Sequence, residues 1–333
     1  MGRITLKKSA LAGTLSETVG YKSGLALDTK QIADHLGDEA DLIHGAPDDL
    51  VTVRSEEMDD IVAALLYKVG NTPTPRVVFP VIDFTRPYRN DASKLEKAYR
   101  VVQIFIDVSD ADLGGPDPLD ITPALVRCAD EMGSEGADLF LEFAALLQLK
   151  IHQAPFSRVR SVSWTDTAAL RELFESESLA TPYGSFLDQR FIDYLAQNFD
   201  AIDQMNWRKF EGLTCEFFER NGYHVEIAEG RNDGGIDARI WRVEPLASEP
   251  PAILVQCKRQ RKKVEKVIVK ALWADVVEEG AGSGLIVTTS ALAPGADQVR
   301  VARSYPVEQA DRETLRRWIE AMRTPFAGVF MGM

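Results

Sequence analysis

The sequence is poor in the residues that staple or metallate small folds. Cysteine occurs three times, as Cys128, Cys215 and Cys257. That is too few and too scattered for a disulfide framework, and no CxxC pair offers a structural zinc site. The four histidines, His35, His44, His152 and His224, are equally dispersed. No uncharged apolar run reaches the roughly 18 residues of a membrane span. The opening MGRITLKKSALAGTLSE has two lysines but no apolar stretch behind them. The expectation is a chain without a leader peptide or membrane segment, kept in the reducing cytoplasm. Fixed-period repeats and low-complexity tracts are also missing.

What is present is ordinary in bulk. The 333 residues are 45 % hydrophobic and 27 % charged, enough for about two domains with sizeable cores. Thirty-eight Lys+Arg against 51 Asp+Glu give a net charge of −13, which taken whole argues against binding a polyanion. The charge is unevenly spread. Residues 1–205 hold 19 basic and 33 acidic side chains, net −14, whereas 206–333 hold 19 and 18, net +1. The segment DAIDQMN (200–206) marks a junction. It separates an acidic region, 1–204, from a second domain, 205–333.

In the acidic region, 29–44, 55–69 (capped by Ser55), 165–177 and 185–200 have helical patterns. Residues 76–84 look like a strand, with Pro80 forcing an edge or a bulge. SKLEKAYR is helical and VVQIFIDV can be a buried strand. Residues 122–150 read as two helices parted near Gly133, GGPDP (114–118) as a turn, and 157–164 as a strand.

The second domain carries the chemistry. NWRKFEGLTCEFFERN (206–221) sets Trp207, Phe210, Leu213 and Phe217 at helical spacing, with Asn206 as cap, Gly222 as terminator and Glu211 beside the apolar stripe. Strands are expected at 223–228, 236–243, 252–259 and 284–290. Helices are expected at 264–279, after Pro294 and behind Asp311. Side chains alternate along a strand, so Gln256 and Lys258 share a face. If 236–243 and 252–259 form a hairpin, Asp237 meets them. Glu211, from the packed helix, adds a second carboxylate. Two carboxylates and a neutral oxygen suit Mg²⁺, with Mn²⁺ as a substitute. A lysine beside such an ion can orient an attacking water. These are the parts of metal-assisted phosphodiester hydrolysis.

The ordered series FE (210–211), NGY (221–223), NDGGIDA (232–238), VQCKR (255–259) and IVTTS (286–290) resembles the Mrr-like restriction endonuclease catalytic domain of the PD-(D/E)xK nuclease superfamily, over about 205–320. The resemblance implies an α/β fold with a mixed four-stranded sheet flanked by helices, preceded here by a mostly helical α/β or α+β domain. It implies Mg²⁺-dependent cleavage of DNA to 5′-phosphate and 3′-hydroxyl ends. Glu211 matches the first-helix acid, Asp237 the metal-binding aspartate, and Gln256 and Lys258 the QxK form of the (D/E)xK half-motif. Gln in place of an acid leaves one fewer negative charge on the metal.

Plainer roles stand beside these. Asp233 suits a turn, Cys257 faces away from the site by strand parity, and His224 is a strand residue. Thr288, Thr289 and Ser290 serve phosphate contact or capping equally well. The run KRQRKKVEKVIVK (258–270) has seven basic residues and one acid. It reads as a phosphate-contacting edge, with Arg259, Arg261, Lys262 and Lys263 foremost. The first reading is a DNA endonuclease of restriction or anti-phage type, working as a homo-oligomer. Its acidic region is expected to be regulatory, to bind a protein partner or to oligomerise. The rivals are a nuclease of the same fold acting on branched DNA or RNA, and a non-catalytic DNA-binding or scaffold subunit.

Overall fold

The computed structural model describes residues 2–108, 120–157, 164–230 and 235–324. Among these the chain forms two compact units, one up to Ala169 and one from Leu170 to Thr324.

The first unit runs β1 (Arg3–Lys7), α1 (Lys8–Ser23), β2 (Leu25–Ala26), α2 (Thr29–Leu36), β3 (Leu50–Arg54), α3 (Ser55–Lys68), α4 (Pro80–Thr85), α5 (Ala92–Val108), α6 (Thr122–Gln153) and β4 (Ala168–Ala169). It is mostly helical. β1 pairs antiparallel with β3, and β2 parallel with β4. One core cluster joins α4, α5 and α6 through Phe84, Val101, Ile104, Phe140 and Phe143. Gly133, at φ 68° and ψ −155°, breaks α6 where two helices are expected; a side chain is rarely tolerated there.

Ser55 is the first residue of α3 and not its cap, and the helix expected over 165–177 is confined to 170–175 behind β4. Two strand expectations also change. Residues 76–84 are not a strand: Asp83 pairs with both guanidinium nitrogens of Arg76 and accepts the Phe79 N–H at 2.9 Å. Pro80 then begins α4 at a position where its missing N–H costs nothing. VVQIFIDV continues α5, because Ala98, Val101, Val102 and Phe105 form one buried helical stripe. The expected 114–118 turn, most of the 157–164 strand and Asp233 lie outside the described residues.

The second unit runs α7 (Leu170–Glu175), α8 (Gln189–Gln197), α9 (Trp207–Arg220), β5 (His224–Ile227), β6 (Ala238–Trp241), β7 (Ile253–Lys258), α10 (Lys266–Glu278), β8 (Ser283–Thr288), α11 (Pro294–Ala302), β9 (Val307–Ala310) and α12 (Arg312–Met322). Its sheet has five strands in the order β5-β6-β7-β8-β9, not four. The first two pairings are antiparallel and the last two parallel. The extra strand is the tetrapeptide VEQA, whose ladder partner is β8. Leu254, Ile286 and Val307 of the sheet share a core with Val269, Leu272 and Val276 of α10. α9 and α12 join through Phe217 stacked on Trp318, with ring centroids 4.2 Å apart.

The unit boundary lies upstream of the 200–206 junction for a physical reason. The Glu216 carboxylate of α9 is buried, and one of its oxygens accepts the N–H groups of Ser185, Phe186 and Leu187 at 2.9, 2.7 and 3.1 Å. Gln189 Nε2 donates to the Met322 carbonyl at 3.1 Å. Residues 170–204 therefore belong with α9 and α12. Charge is redistributed accordingly. Up to Ala169 there are 17 basic and 26 acidic residues, net −9; from Leu170 to Thr324 there are 21 and 25, net −4.

Candidate active site

The end of β7 and the start of β6 define the site. Ala238 stands opposite Val255 in the antiparallel register, and the Asp237 N–H donates to the Val255 carbonyl at 2.8 Å. Asp237 thus lies beside the Gln256–Cys257 stretch, as the expected hairpin requires. Its Oδ2 accepts the Cys257 N–H at 2.6 Å, so the carboxylate is fixed by backbone. Gln256 is buried, and its Nε2 donates to the Gly235 carbonyl at 2.8 Å. Gly235 has φ +96°, and a Cβ there would sit 3.0 Å from Gln256 Nε2. A glycine is required for the loop to hold the amide in this way.

With its nitrogen so engaged, Gln256 directs its oxygen elsewhere. Gln256 Oε1 is buried and has no hydrogen-bond partner among the described residues. A buried acceptor left in that state costs about 1–3 kcal/mol. It is the kind of atom that a cation or an ordered water satisfies.

Glu211 sits on α9, which begins where Asn206 Oδ1 accepts the Arg208 N–H at 2.8 Å. The side chain is 7 % exposed, and its Oε2 accepts from Arg208 Nη1 at 2.7 Å. The pKa of its carboxyl is raised from 4.5 to about 7, chiefly by burial and then by the Asp237 carboxylate against it, with Arg208 opposing. Two carboxylates share this corner and one guanidinium compensates them. Proton sharing belongs to the pair rather than to either residue.

Lys258 closes β7 and is half-buried. Thr288 Oγ1 donates to its carbonyl at 2.8 Å. Beyond it the chain leaves the sheet as a loop and not as a helix. Gln260 N donates to Thr289 Oγ1 at 3.1 Å, and Ser290 Oγ donates to the Lys262 carbonyl at 2.8 Å. Val264 is buried and bridges to Leu292. Thr288, Thr289 and Ser290 are therefore clamps on the basic loop, a role for which the sequence carries no signal. Arg259, Arg261, Lys262 and Lys263 are exposed on it. Arg259 also donates through Nη1 to the Asp203 carbonyl at 2.8 Å.

Three further placements matter. Cys257 does not face away: its Sγ lies 3.6 Å from Thr214 Oγ1, one turn beyond Glu211 on α9. Burial, and next the Asp237 charge, push its thiol pKa well up, so it stays protonated and is no nucleophile. His224 pairs through Nδ1 with Glu244 at 2.8 Å, on the edge strand β5. Arg208 escaped the sequence reading, although its position three residues before Glu211 on a helix is the available signal. The structure thus sets Glu211 against Asp237 and holds Asp237 at the Cys257 N–H, with Gln256 one residue before and Lys258 one residue after it on β7. Among the described residues no group of three or more His, Cys, Asp or Glu gathers as a metal cluster.

Residues 202–319 match the restriction endonuclease family model of the Mrr catalytic domain. This stretch is similar to restriction endonuclease domains, a nuclease family. Among curated proteins the chain is similar to the uncharacterised protein y4cE of Sinorhizobium fredii (strain NBRC 101917 / NGR234). The two are 25 % identical over 137 residues, which is 41 % of this chain and 35 % of that protein. Among solved structures it is similar to the MspJI restriction endonuclease in complex with a 27-mer oligonucleotide. The identity is 19 % and the TM-score 0.30, covering 53 % of this chain and 39 % of that one. The chain therefore spans between about a third and two-fifths of the length of these two proteins. Among the described residues no helix is long and apolar enough to cross a membrane.

Proposed function

We propose that the unit 170–324 hydrolyses DNA phosphodiester bonds with a divalent cation, Mg²⁺ or in its place Mn²⁺, held by Asp237, Gln256 and Glu211. The observation that carries this reading is the buried Gln256 Oε1, which has no partner among the described residues and lies one residue along β7 from the N–H that Asp237 accepts. The donor set fits such an ion. All three donors are hard oxygens, the carboxylates repel each other, and the amide oxygen accepts no hydrogen bond among the described residues. When bound, the ion acts as a Lewis acid on a phosphoryl oxygen and makes water a better nucleophile.

The remaining roles fall to side chains of this chain. Asp237 and Gln256 fix the site to two backbone segments. Arg208 holds Glu211 in place and offsets its charge. Lys258 orients the attacking water and opposes the negative charge that develops on the phosphoryl group. Arg259, Arg261, Lys262 and Lys263 take phosphates along the duplex, an interaction that positions without reading sequence. The ends produced are 5′-phosphate and 3′-hydroxyl. Cutting two strands takes two such sites, which supports a homo-oligomer. The acidic unit serves as a regulatory, partner-binding or oligomerisation module, and the setting is restriction or defence against phage.

The test is cleavage of methylated and unmethylated supercoiled plasmid by the full chain, with and without chelator. Cleavage should need the divalent cation and vanish in Asp237→Asn and Lys258→Ala. Equal cutting by both variants and the parent would overturn the site. Preference for branched DNA or for RNA in the same assay would move the substrate and leave the site intact. Binding without cutting at any cation concentration would make the domain a scaffold.

A further inference from the structure

The first unit contains a cavity of about 600 Å³ that the proposed nuclease chemistry does not use. Small-molecule sites generally occupy about 300–1,000 Å³ and are mostly apolar, with a few placed polar groups. This one has that composition. Val102, Phe105 and Ile106 of α5, Phe143 and Leu147 of α6, and Phe156 beyond α6 line it. Ile106 and Phe156 are 60 % and 62 % exposed, unusual for large apolar side chains that share one concavity.

The charged lining is a single ion pair. Lys150 Nζ stands 3.1 Å from Asp59 Oδ2, and the two side chains are 32 % and 31 % exposed. An ammonium has three N–H donors. Asp59 takes one, and among the described residues no other side-chain hydrogen bond of Lys150 exists. Two donors are thus left for a ligand at the wall of an otherwise apolar cavity. The unit carries −9 overall, so an anion is not drawn in by the general field and must be held by Lys150 itself. A cationic head would meet the ammonium, and the one carboxylate in the lining is already neutralised.

We propose that this cavity binds a small apolar molecule bearing a carboxylate, with the carboxylate on Lys150 and the apolar body against Val102, Phe105, Phe143 and Leu147. The site is separate from the nuclease residues and does not depend on their assignment.

The experiment is calorimetric titration of the full chain with decanoate below its micellar concentration, and with decanol as the uncharged counterpart. Decanoate should saturate at one molecule per chain. Lys150→Gln should weaken decanoate about tenfold or more, as loss of a charged hydrogen bond does, and change decanol less than twofold. Leu147→Trp, which fills the cavity, should abolish binding of both. Thermal unfolding of each variant establishes that it is folded; if Leu147→Trp is not, Val102→Phe takes its place. No saturable binding by the parent overturns the proposal. So does decanoate binding that survives the filled cavity, or an affinity indifferent to Lys150.

Discussion

Glu211→Gln should stabilise the cation-free protein while it removes cleavage. The carboxylates of Glu211 and Asp237 are packed together, and burial and mutual repulsion raise the Glu211 pKa from 4.5 to about 7. The folded value lies above the unfolded one. The folded state therefore holds the proton more tightly, and this contribution is complete below about pH 4.5 and is lost as the pH climbs through about 7. Above that, the charged pair costs at most roughly 3–4 kcal/mol, at about 1.4 kcal/mol for each pKa unit. Solvent screening at a site that substrate must reach brings this to about 1–2 kcal/mol. For a unit of about 155 residues that is a rise in Tm of roughly 2–8 °C. Glutamine keeps an acceptor for Arg208, so no guanidinium is left unpaired. The assay is thermal unfolding in chelator near pH 5 and near pH 8, followed by tryptophan fluorescence. Four of the five tryptophans, Trp207, Trp241, Trp273 and Trp318, lie in the second unit and report on it. The variant should melt above the parent near pH 8 and beside it near pH 5, and Mg²⁺ should close the gap by stabilising the parent alone. A variant that melts below the parent near pH 8, or a gap unchanged by pH, would refute the reasoning.

Three other outcomes are expected. Gln256→Glu replaces the buried amide oxygen by a third carboxylate, so cation affinity measured without DNA should rise about tenfold; unchanged affinity would remove Gln256 from the ligand set. Lys262→Ala combined with Lys263→Ala should weaken DNA binding evenly across sequences and lower the salt slope by about 0.9 for each phosphate no longer neutralised, read by fluorescence anisotropy. Asp193 is buried, and burial raises its pKa to about 7. Stability it confers below the unfolded pKa of 3.8 is therefore lost as the pH rises towards 7, and Asp193→Asn should flatten the dependence of Tm on pH over that range.

The nuclease unit was legible where local chemistry and long-range packing agree. Asn206 and Asp311 cap the helices that they announce, through bonds of 2.8 and 3.0 Å to backbone N–H groups, and Gly222 takes φ +82° at the end of α9. The hairpin register needed only the alternation of β6 and β7. What escaped has long-range causes. VEQA is too short and too polar to read as a strand without β8 beside it. β1 and β3 are mostly exposed and carry little alternation, so their pairing across some fifty residues leaves no local trace. The parity that turned Cys257 away from the site held along the strand, but α9 brings Glu211 over the face on which the thiol lies. Arg208 was hidden because an i,i+3 ion pair on a helix surface looks the same whether or not it guards a site.

The hold of Glu216 on residues 185–187 fixes where the second unit can be cut. A fragment begun at 202, where the family likeness starts, strips three N–H donors from the buried Glu216 carboxylate. One begun at 170 carries its own counterparts. The transferable module is therefore longer than the recognisable one, by 32 residues at its start whose task is to close the back of α9. Fusions or domain exchanges built on 170–324 should stay soluble where those built on 202–324 aggregate.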